Sequence, residues 1–258
     1  MTMKTFALLL SLVLLDASIS AKAASLKSNE LVSHKCLSDT TEECVSNPVS
    51  ITEEDLSEQI SAMMGHLRAG LALFEIAEYG MGTPHLLHPI RETSEAQKNV
   101  LRSYGFDERA FESLAESARE GSADSAGMTQ VLFLISSMES LQSRLSSNPY
   151  RNLSTLLELA KEEYGIAIKG DVVVDASEYQ DSYGFILEAK QQSRLLEPTD
   201  AAAVLSMLEE IQALWIDGVS TPIKVTPVPS VAETIEAAIQ KLGSIERLSA
   251  KRTKQFSQ

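Results

Sequence analysis

The sequence predicts an all-α fold, an antiparallel helical bundle that forms a single domain of about 200 residues. Apolar residues recur with the helical period of about 3.6 residues over most of the chain from Thr52 to Ala250. Residues typical of helix starts and stops separate these periodic segments. Outside a proline-rich connector, the only β-branched run is Val172–Val174, which is too short to indicate a substantial sheet.

The helices can be placed in order from periodicity and capping residues. Thr52, with Asp55 three residues later, suits a capping box, and Asp107 suits an N-cap. Asn148-Pro149 and Pro198 separate neighbouring helices, because proline disfavours helical geometry in the residue before it. The predicted helices cover residues 52–80, 107–121, 125–147, 153–168, 175–196, 199–215 and 231–250.

The segments around these helices differ from them in composition. Residues 24–50 are rich in Ser, Thr, Asn and Lys and are predicted to form a flexible arm. Residues 217–230 contain three prolines and form a connector, and residues 251–258 are predicted to be a polar tail. No repeat of fixed period occurs, which disfavours a solenoid. We therefore expect the bundle domain to span residues 51–250.

The amino terminus has the features of a secretory signal peptide. Lys4 precedes the apolar run Phe6–Leu15, and Ala21-Lys22-Ala23 fits the small-residue rule for cleavage. An uncleaved anchor is the alternative, but about 10 apolar residues are too few to span a bilayer as a helix. We expect cleavage near Ala23 and export to the periplasm.

The two cysteines, Cys36 and Cys44, would then lie in an oxidising compartment. A disulfide is the favoured interpretation of the pair, and metal binding together with His34 is the alternative. The sequence lacks the C-x-x-C-H motif of haem attachment, so no haem is expected.

Charge and missing motifs exclude several classes of function. The formal net charge of −14 is unfavourable for nucleic acid and for anionic membranes. Cations and basic proteins are the expected partners. The chain has no G-x-x-x-x-G-K-[ST] or G-x-G-x-x-G nucleotide motif, no G-x-S-x-G and no H-E-x-x-H. We therefore expect neither a nucleotide cofactor nor an enzyme, and no integral membrane segment after signal cleavage.

Three of the four histidines fall within residues 66–88, in an otherwise histidine-poor chain. If Thr83 caps a helix, His85, His88 and Glu92 share one face, and His66 on the preceding helix could complete a metal site. Pro89 disfavours that continuous helix. The alternative is that the histidines cap helix ends or bond to nearby carboxylates. His66, His85, His88 and Glu92 are the candidate ligands for a transition metal, iron or copper.

A second segment of interest is rich in acidic residues and tyrosines. It contains Tyr164, Gly170-Asp171 and Glu178-Tyr179. It resembles the extracytoplasmic helical segment of bacterial iron permeases of the FTR1 type, where a tyrosine, a glycine turn with an acidic residue and Glu-Tyr follow in this order. The resemblance implies a periplasmic helical module associated with metal handling, with Tyr164, Glu178 and Tyr179 as secondary candidate ligands. It implies no transport, because the Arg-Glu-Gly-Leu-Glu motif of the permease membrane helix is missing.

The same segment has a purely structural interpretation. Asp175 can cap a helix, with Glu178 in its first turn, while Tyr179 and Phe185 pack in the core.

Two functional hypotheses follow. The first is an exported, periplasmic metal-binding accessory protein that handles iron or copper and delivers it to a membrane metal transporter. The second is a non-catalytic helical adaptor that binds a basic protein partner through its acidic surface and holds no metal. Convergence of the histidine side chains distinguishes the two, since one metal needs all its ligand atoms within bonding distance.

Overall fold

The computed structural model of the protein describes residues 51–119 and 125–256. The predicted signal peptide, the flexible arm and the Cys36–Cys44 disulfide lie outside the described residues. From Ile51 onward the chain forms one compact unit.

The described residues are mostly helical and contain almost no strand, which confirms the predicted all-α fold. One small hairpin joins two of the helices, with β1 (Ile168–Lys169) antiparallel to β2 (Val172–Val173). The helices are α1 (Glu53–Glu75), α2 (Tyr79–His85), α3 (His88–Glu92), α4 (Glu95–Ser103), α5 (Glu108–Arg119), α6 (Ser125–Gln142), α7 (Pro149–Ala167), α8 (Ala176–Gln192), α9 (Pro198–Gln212) and α10 (Val228–Phe256), with a short 3-10 helix (Ser193–Leu195) before α9.

Helix α1 begins at the predicted capping box, in which Thr52 and Asp55 exchange hydrogen bonds of 3.0 and 3.1 Å. It ends at Glu75, several residues before the predicted stop at Gly80. Ala77 adopts a left-handed φ of 64°, and the amide of Glu78 donates to the Leu73 carbonyl. This is the arrangement that usually has glycine at the left-handed position. Because alanine holds it here, no local signal marks the stop.

Helix α1 runs between two groups of helices. It packs against α2, α3 and α6 on one side and against α7 and α8 on the other. One hydrophobic core fills the first group and includes Met63, Leu67 and Phe74 of α1, while a second core lies among α7 to α10. The interface between α1 and α8 therefore joins the two halves of the domain.

Glycines allow α1 and α8 to lie unusually close together. A Cβ on Gly184 of α8 would overlap the backbone carbonyl of Gly65 and stand 2.7 Å from the Cβ of Ala69. A Cβ on Gly65 would in turn overlap the ring of Phe185. The two helix backbones are thus in contact at this point, immediately beside His66.

Helix α4 and the end of α10 also differ from the prediction. Helix α4 was not predicted, because its apolar face is carried by few residues, among which only Leu101 is a buried hydrophobic. Helix α10 continues to Phe256, beyond its predicted end near residue 250 and into the segment predicted as a polar tail. No proline or glycine interrupts the helix there, and Arg252 is tied to the buried carboxylate of Asp200 at 2.6 Å. None of the described helices is both long and apolar enough to cross a membrane.

Candidate metal centre

The histidine segment is broken into two short helices, so the predicted single helical face for His85, His88 and Glu92 was wrong. Thr83 lies inside α2, where its hydroxyl donates to the Tyr79 carbonyl at 2.8 Å, and does not cap a helix. Pro89 stands at the start of α3, a position where the missing N–H of proline costs nothing. The chain turns between His85 and His88 and directs both imidazoles to one centre.

That centre is Asp181, in the second turn of α8. Its Oδ1 lies 2.7 Å from Nδ1 of His66 and 2.8 Å from Nδ1 of His85. Its Oδ2 lies 2.8 Å from Nδ1 of His88. One buried carboxylate therefore gathers the three predicted histidines, which come from α1, α2 and α3.

Asp181 was not among the predicted ligands. It lies in a stretch with many acidic residues, and nothing in the adjacent sequence distinguishes a buried carboxylate there from the solvent-exposed ones. A clue was nevertheless available, because Asp181, Gly184 and Glu188 are spaced i, i+3 and i+7 and so share one face of α8. A glycine on that face indicates that another backbone approaches there, which would bury the carboxylates beside it.

Glu92, the fourth predicted ligand, lies on the outer side of the same cluster. Its Oε2 is 3.0 Å from Nε2 of His66, and its Oε1 is 3.7 Å from Nδ1 of His88. The side chain of Glu92 is 42% exposed, whereas those of His66 and Asp181 are 6% and 0% exposed. The cluster is therefore exposed to solvent at Glu92.

His85 is the most enclosed of the three histidines. Its Nδ1 faces Asp181, and its Nε2 lies 2.9 Å from Oε1 of Gln180. Both ring nitrogens thus have protein partners, and the residue is fully buried. His85 therefore holds the Asp181 carboxylate from a fully buried position.

The charges of the cluster compensate one another. Burial raises the pKa of Asp181, but His66 and His85 outweigh that effect and hold the pKa well below its usual range. Burial lowers the pKa of His66, but Asp181 and Glu92 outweigh it and hold the pKa well above its usual range. Asp181 is thus an ionised acceptor for the imidazoles of His66 and His85.

His66, His88 and Asp181 form the group best placed to hold a cation. Each offers one ligand atom, and these atoms lie within 4.8 Å of one another. Metal–ligand bonds of about 2.0–2.2 Å require ligand atoms about 3–4 Å apart, so a small contraction would close the site. Two imidazole nitrogens and a carboxylate oxygen are donors that suit divalent first-row metals.

Two further carboxylates, Glu163 and Glu178, flank this group from α7 and α8. Burial and the neighbouring Glu178 raise the pKa of Glu163 to about 10. Glu163 is therefore protonated at neutral pH and shares a hydrogen bond with Glu178. The charges of Asp181 and His66 also act on Glu163, and that of Glu92 acts on Glu178. The predicted Glu178 thus lies within electrostatic reach of the centre, together with Glu163, which was not predicted.

The two predicted tyrosines lie elsewhere. The Tyr164 hydroxyl donates to the Thr226 carbonyl at 2.7 Å, and its ring stacks edge-on against Trp215 with centroids 5.1 Å apart. The ring of Tyr179 lies 5.9 Å from that of Tyr164, and both tyrosines are 1% exposed. Asp175 caps α8 through the amides of Ser177 and Glu178. The structural interpretation of the tyrosines is therefore the one that their contacts favour.

One comparison with known proteins found a match to a family model, and it covers the second half of this site. Residues 141–247 match the model of the iron permease-associated 4-helix bundle domain. No curated protein and no solved structure matched the chain. The matched residues contain Asp181, Glu163 and Glu178, whereas His66, His88 and Glu92 precede them. The predicted resemblance to the helical segment of FTR1-type iron permeases is thus confirmed, and the iron permease-associated 4-helix bundle domain is matched over the whole of α7, α8 and α9.

Proposed function

We propose that the protein is an exported accessory protein that binds iron, with His66, His88 and Asp181 as the central ligands. The observation that carries the proposal is the position of their three ligand atoms, which lie within 4.8 Å of one another although they come from α1, α3 and α8. Bringing such groups together without a ligand is costly, because each polar group must be desolvated.

The donor set suits iron and disfavours copper(I). Two imidazoles and one carboxylate, with positions left open, are the ligands of many non-haem iron sites. Copper(I) prefers thiolates and thioethers, and neither belongs to this group. The match to an iron permease-associated domain independently supports iron as the cargo.

The proposed partner is a membrane metal transporter. The family description associates this domain with an iron permease, and the predicted signal peptide would place the protein outside the cytoplasmic membrane. An acidic protein with a net charge of −14 concentrates cations around itself. The protein would therefore collect iron and present it to the transporter, as a binding protein and not as an enzyme.

Metal titration of the purified protein tests the proposal. We expect one equivalent of Fe²⁺ to bind under anaerobic conditions, measured by equilibrium dialysis and mass spectrometry. The double variant His66→Ala/His88→Ala should lose that equivalent. His34→Ala is the matched control, since it removes the one histidine outside the cluster, and it should bind iron as the wild type does.

Absence of bound iron, zinc and copper in the folded wild-type protein would contradict the proposal. The result would favour the helical adaptor, in which the cluster serves only to hold α1, α3 and α8 together. Equal binding by the double variant would place the iron at another site.

A further inference from the structure

The last part of α10 has a charge opposite to that of the protein as a whole. Residues 240–256 carry five basic side chains and one acidic side chain, in a chain with a formal net charge of −14. Two of these six side chains have partners in neighbouring elements. Arg252 forms an ion pair with Asp200, and Glu246 accepts a hydrogen bond from Asn148 at 2.9 Å.

Three of the other cations form a basic stripe on the outward side of α10. Arg247, Lys251 and Lys254 are spaced i, i+4 and i+7, which places them on one face of the helix. That face lies opposite the buried Ala238 and Leu242, and all three basic side chains are exposed. None of them forms an ion pair among the described residues, and Arg247 donates only to a serine hydroxyl one turn earlier.

The stability of the helix does not explain this stripe. Cations stabilise a helix through its macrodipole only within about the last turn. Lys254 lies in the last turn of α10, whereas Arg247 and Lys251 precede it. Like charges at i and i+4, as in this pair, destabilise a helix. The two cations are therefore unfavourable to α10 until an anionic group faces them.

We propose that the basic stripe docks the protein on an anionic phospholipid surface. The stripe is convex, because it lies on the outer side of a helix, and so it suits a broad anionic surface better than a small anion. Protein–protein interfaces are depleted in lysine, whereas lysine side chains suit a lipid surface because they can keep their charge at the phosphates. Leu248, which is 54% exposed, lies beside the stripe and supplies an apolar contact.

The acidic residues on the same face of α10 lie too far away to cancel this attraction. The nearest of them is Glu236, which precedes Arg247 by eleven residues or about 16 Å of helix. It also forms an ion pair with Lys161 at 3.4 Å. Charges at a protein surface are screened over about 10 Å at 0.1 M salt. The stripe therefore acts on a nearby surface as a local positive charge.

Docking through the stripe is independent of iron. It uses none of the ligands of the candidate metal centre, so it goes beyond the proposed function and can be tested on iron-free protein. The family match ends at residue 247, before Lys251 and Lys254. The docking surface therefore lies mainly outside the matched domain.

Vesicle flotation tests the proposal on the exported protein, from which the predicted signal peptide has been removed. The probes are vesicles of phosphatidylcholine alone and of phosphatidylcholine with about one third phosphatidylglycerol. We expect binding to the anionic vesicles only, with release at 0.5 M salt. The double variant Lys251→Gln/Lys254→Gln should bind about 25-fold more weakly, because each cation near an anionic surface contributes about fivefold.

Two further variants serve as controls. Lys169→Gln/Lys224→Gln removes the same charge from two exposed lysines in the hairpin and the connector, and it should bind as the wild type does. Lys251→Arg/Lys254→Arg keeps the charge of the stripe and should also retain binding. All the substituted side chains are exposed, so urea unfolding should show that every variant is folded.

Three results would overturn the proposal. The first is the absence of binding to the anionic vesicles at low salt. The second is equal weakening by the two glutamine double variants, which would assign the effect to net charge and not to the stripe. The third is a dimer that only the Lys251→Gln/Lys254→Gln variant abolishes, without vesicle binding, because the stripe would then bind the acidic surface of a second copy.

Discussion

Nδ1 of His66 and Oδ1 of Asp181 lie 2.7 Å apart, although the two residues are separated by 115 positions in the sequence. This contact links α1 to α8 and thereby joins the two halves of the domain. It also places the only fully buried aspartate of the described residues, 0% exposed, at the centre of the histidine cluster.

Asp181→Asn should abolish iron binding and destabilise the fold. Removing one partner of a buried charged cluster leaves the other charges uncompensated, at a cost of about 3–5 kcal/mol. Urea unfolding and iron dialysis measure the two effects. Asp171→Asn, in the exposed hairpin turn, is the matched control and should change neither. A stable Asp181→Asn variant that binds iron normally would contradict the assignment of Asp181 as a ligand.

Gly184→Ala should weaken both stability and iron binding, because the added methyl forces α8 away from the backbone of α1 at Gly65. Overpacking of this kind costs about 1–3 kcal/mol. Gly165→Ala is the control in α7, where a Cβ meets nothing within 4 Å. It should stabilise the helix by about 0.5–1 kcal/mol. Urea midpoints of the two variants should therefore shift in opposite directions.

The contribution of Asp200 to stability should depend on pH. Burial raises the pKa of this carboxyl, but hydrogen bonds from Tyr150 and Arg252 outweigh burial and lower the pKa below its reference value of 3.8. A lowered pKa in the folded state stabilises the protein above the unfolded pKa, and this stability is lost as pH falls through the folded pKa.

Asp200→Asn removes that contribution. In urea unfolding, the wild type should exceed the variant by about 1 kcal/mol at pH 6, and the difference should shrink below pH 3.8. A difference that is constant with pH would show that the Asp200–Arg252 ion pair does not contribute.

Tyr179→Phe and Tyr164→Phe should behave differently although both rings are buried. The Tyr179 hydroxyl has no hydrogen-bond partner among the described residues, so its removal should leave stability unchanged or raise it. The Tyr164 hydroxyl bonds to the Thr226 carbonyl, and its removal should cost about 1 kcal/mol. Both variants should bind iron as the wild type does. If either variant failed to bind iron, the substituted tyrosine would again be a candidate ligand.

Local sequence patterns predicted most helices because each signal lies within a few residues. The capping box at Thr52 and the cap at Asp175 were both visible in the sequence and both form. The predicted helix ends were wrong where tertiary contacts override the local conformational preference of the residues. Ala77 takes a left-handed conformation that glycine usually provides, and Arg252 extends α10 by bonding to Asp200. Neither effect can be recognised from residues adjacent in sequence.

The candidate metal centre was likewise predictable from the sequence only in part. The sequence by itself determined the all-α class, the clustering of His66, His85, His88 and Glu92, and the likeness of residues near Tyr164 to an iron permease segment. Only the tertiary structure decided that these histidines share one carboxylate, that Asp181 provides it, and that the tyrosines lie elsewhere. The physical reason is the contact of α1 and α8 at Gly65 and Gly184, since close approach of two backbones buries Asp181 and makes the imidazoles its available hydrogen-bond donors.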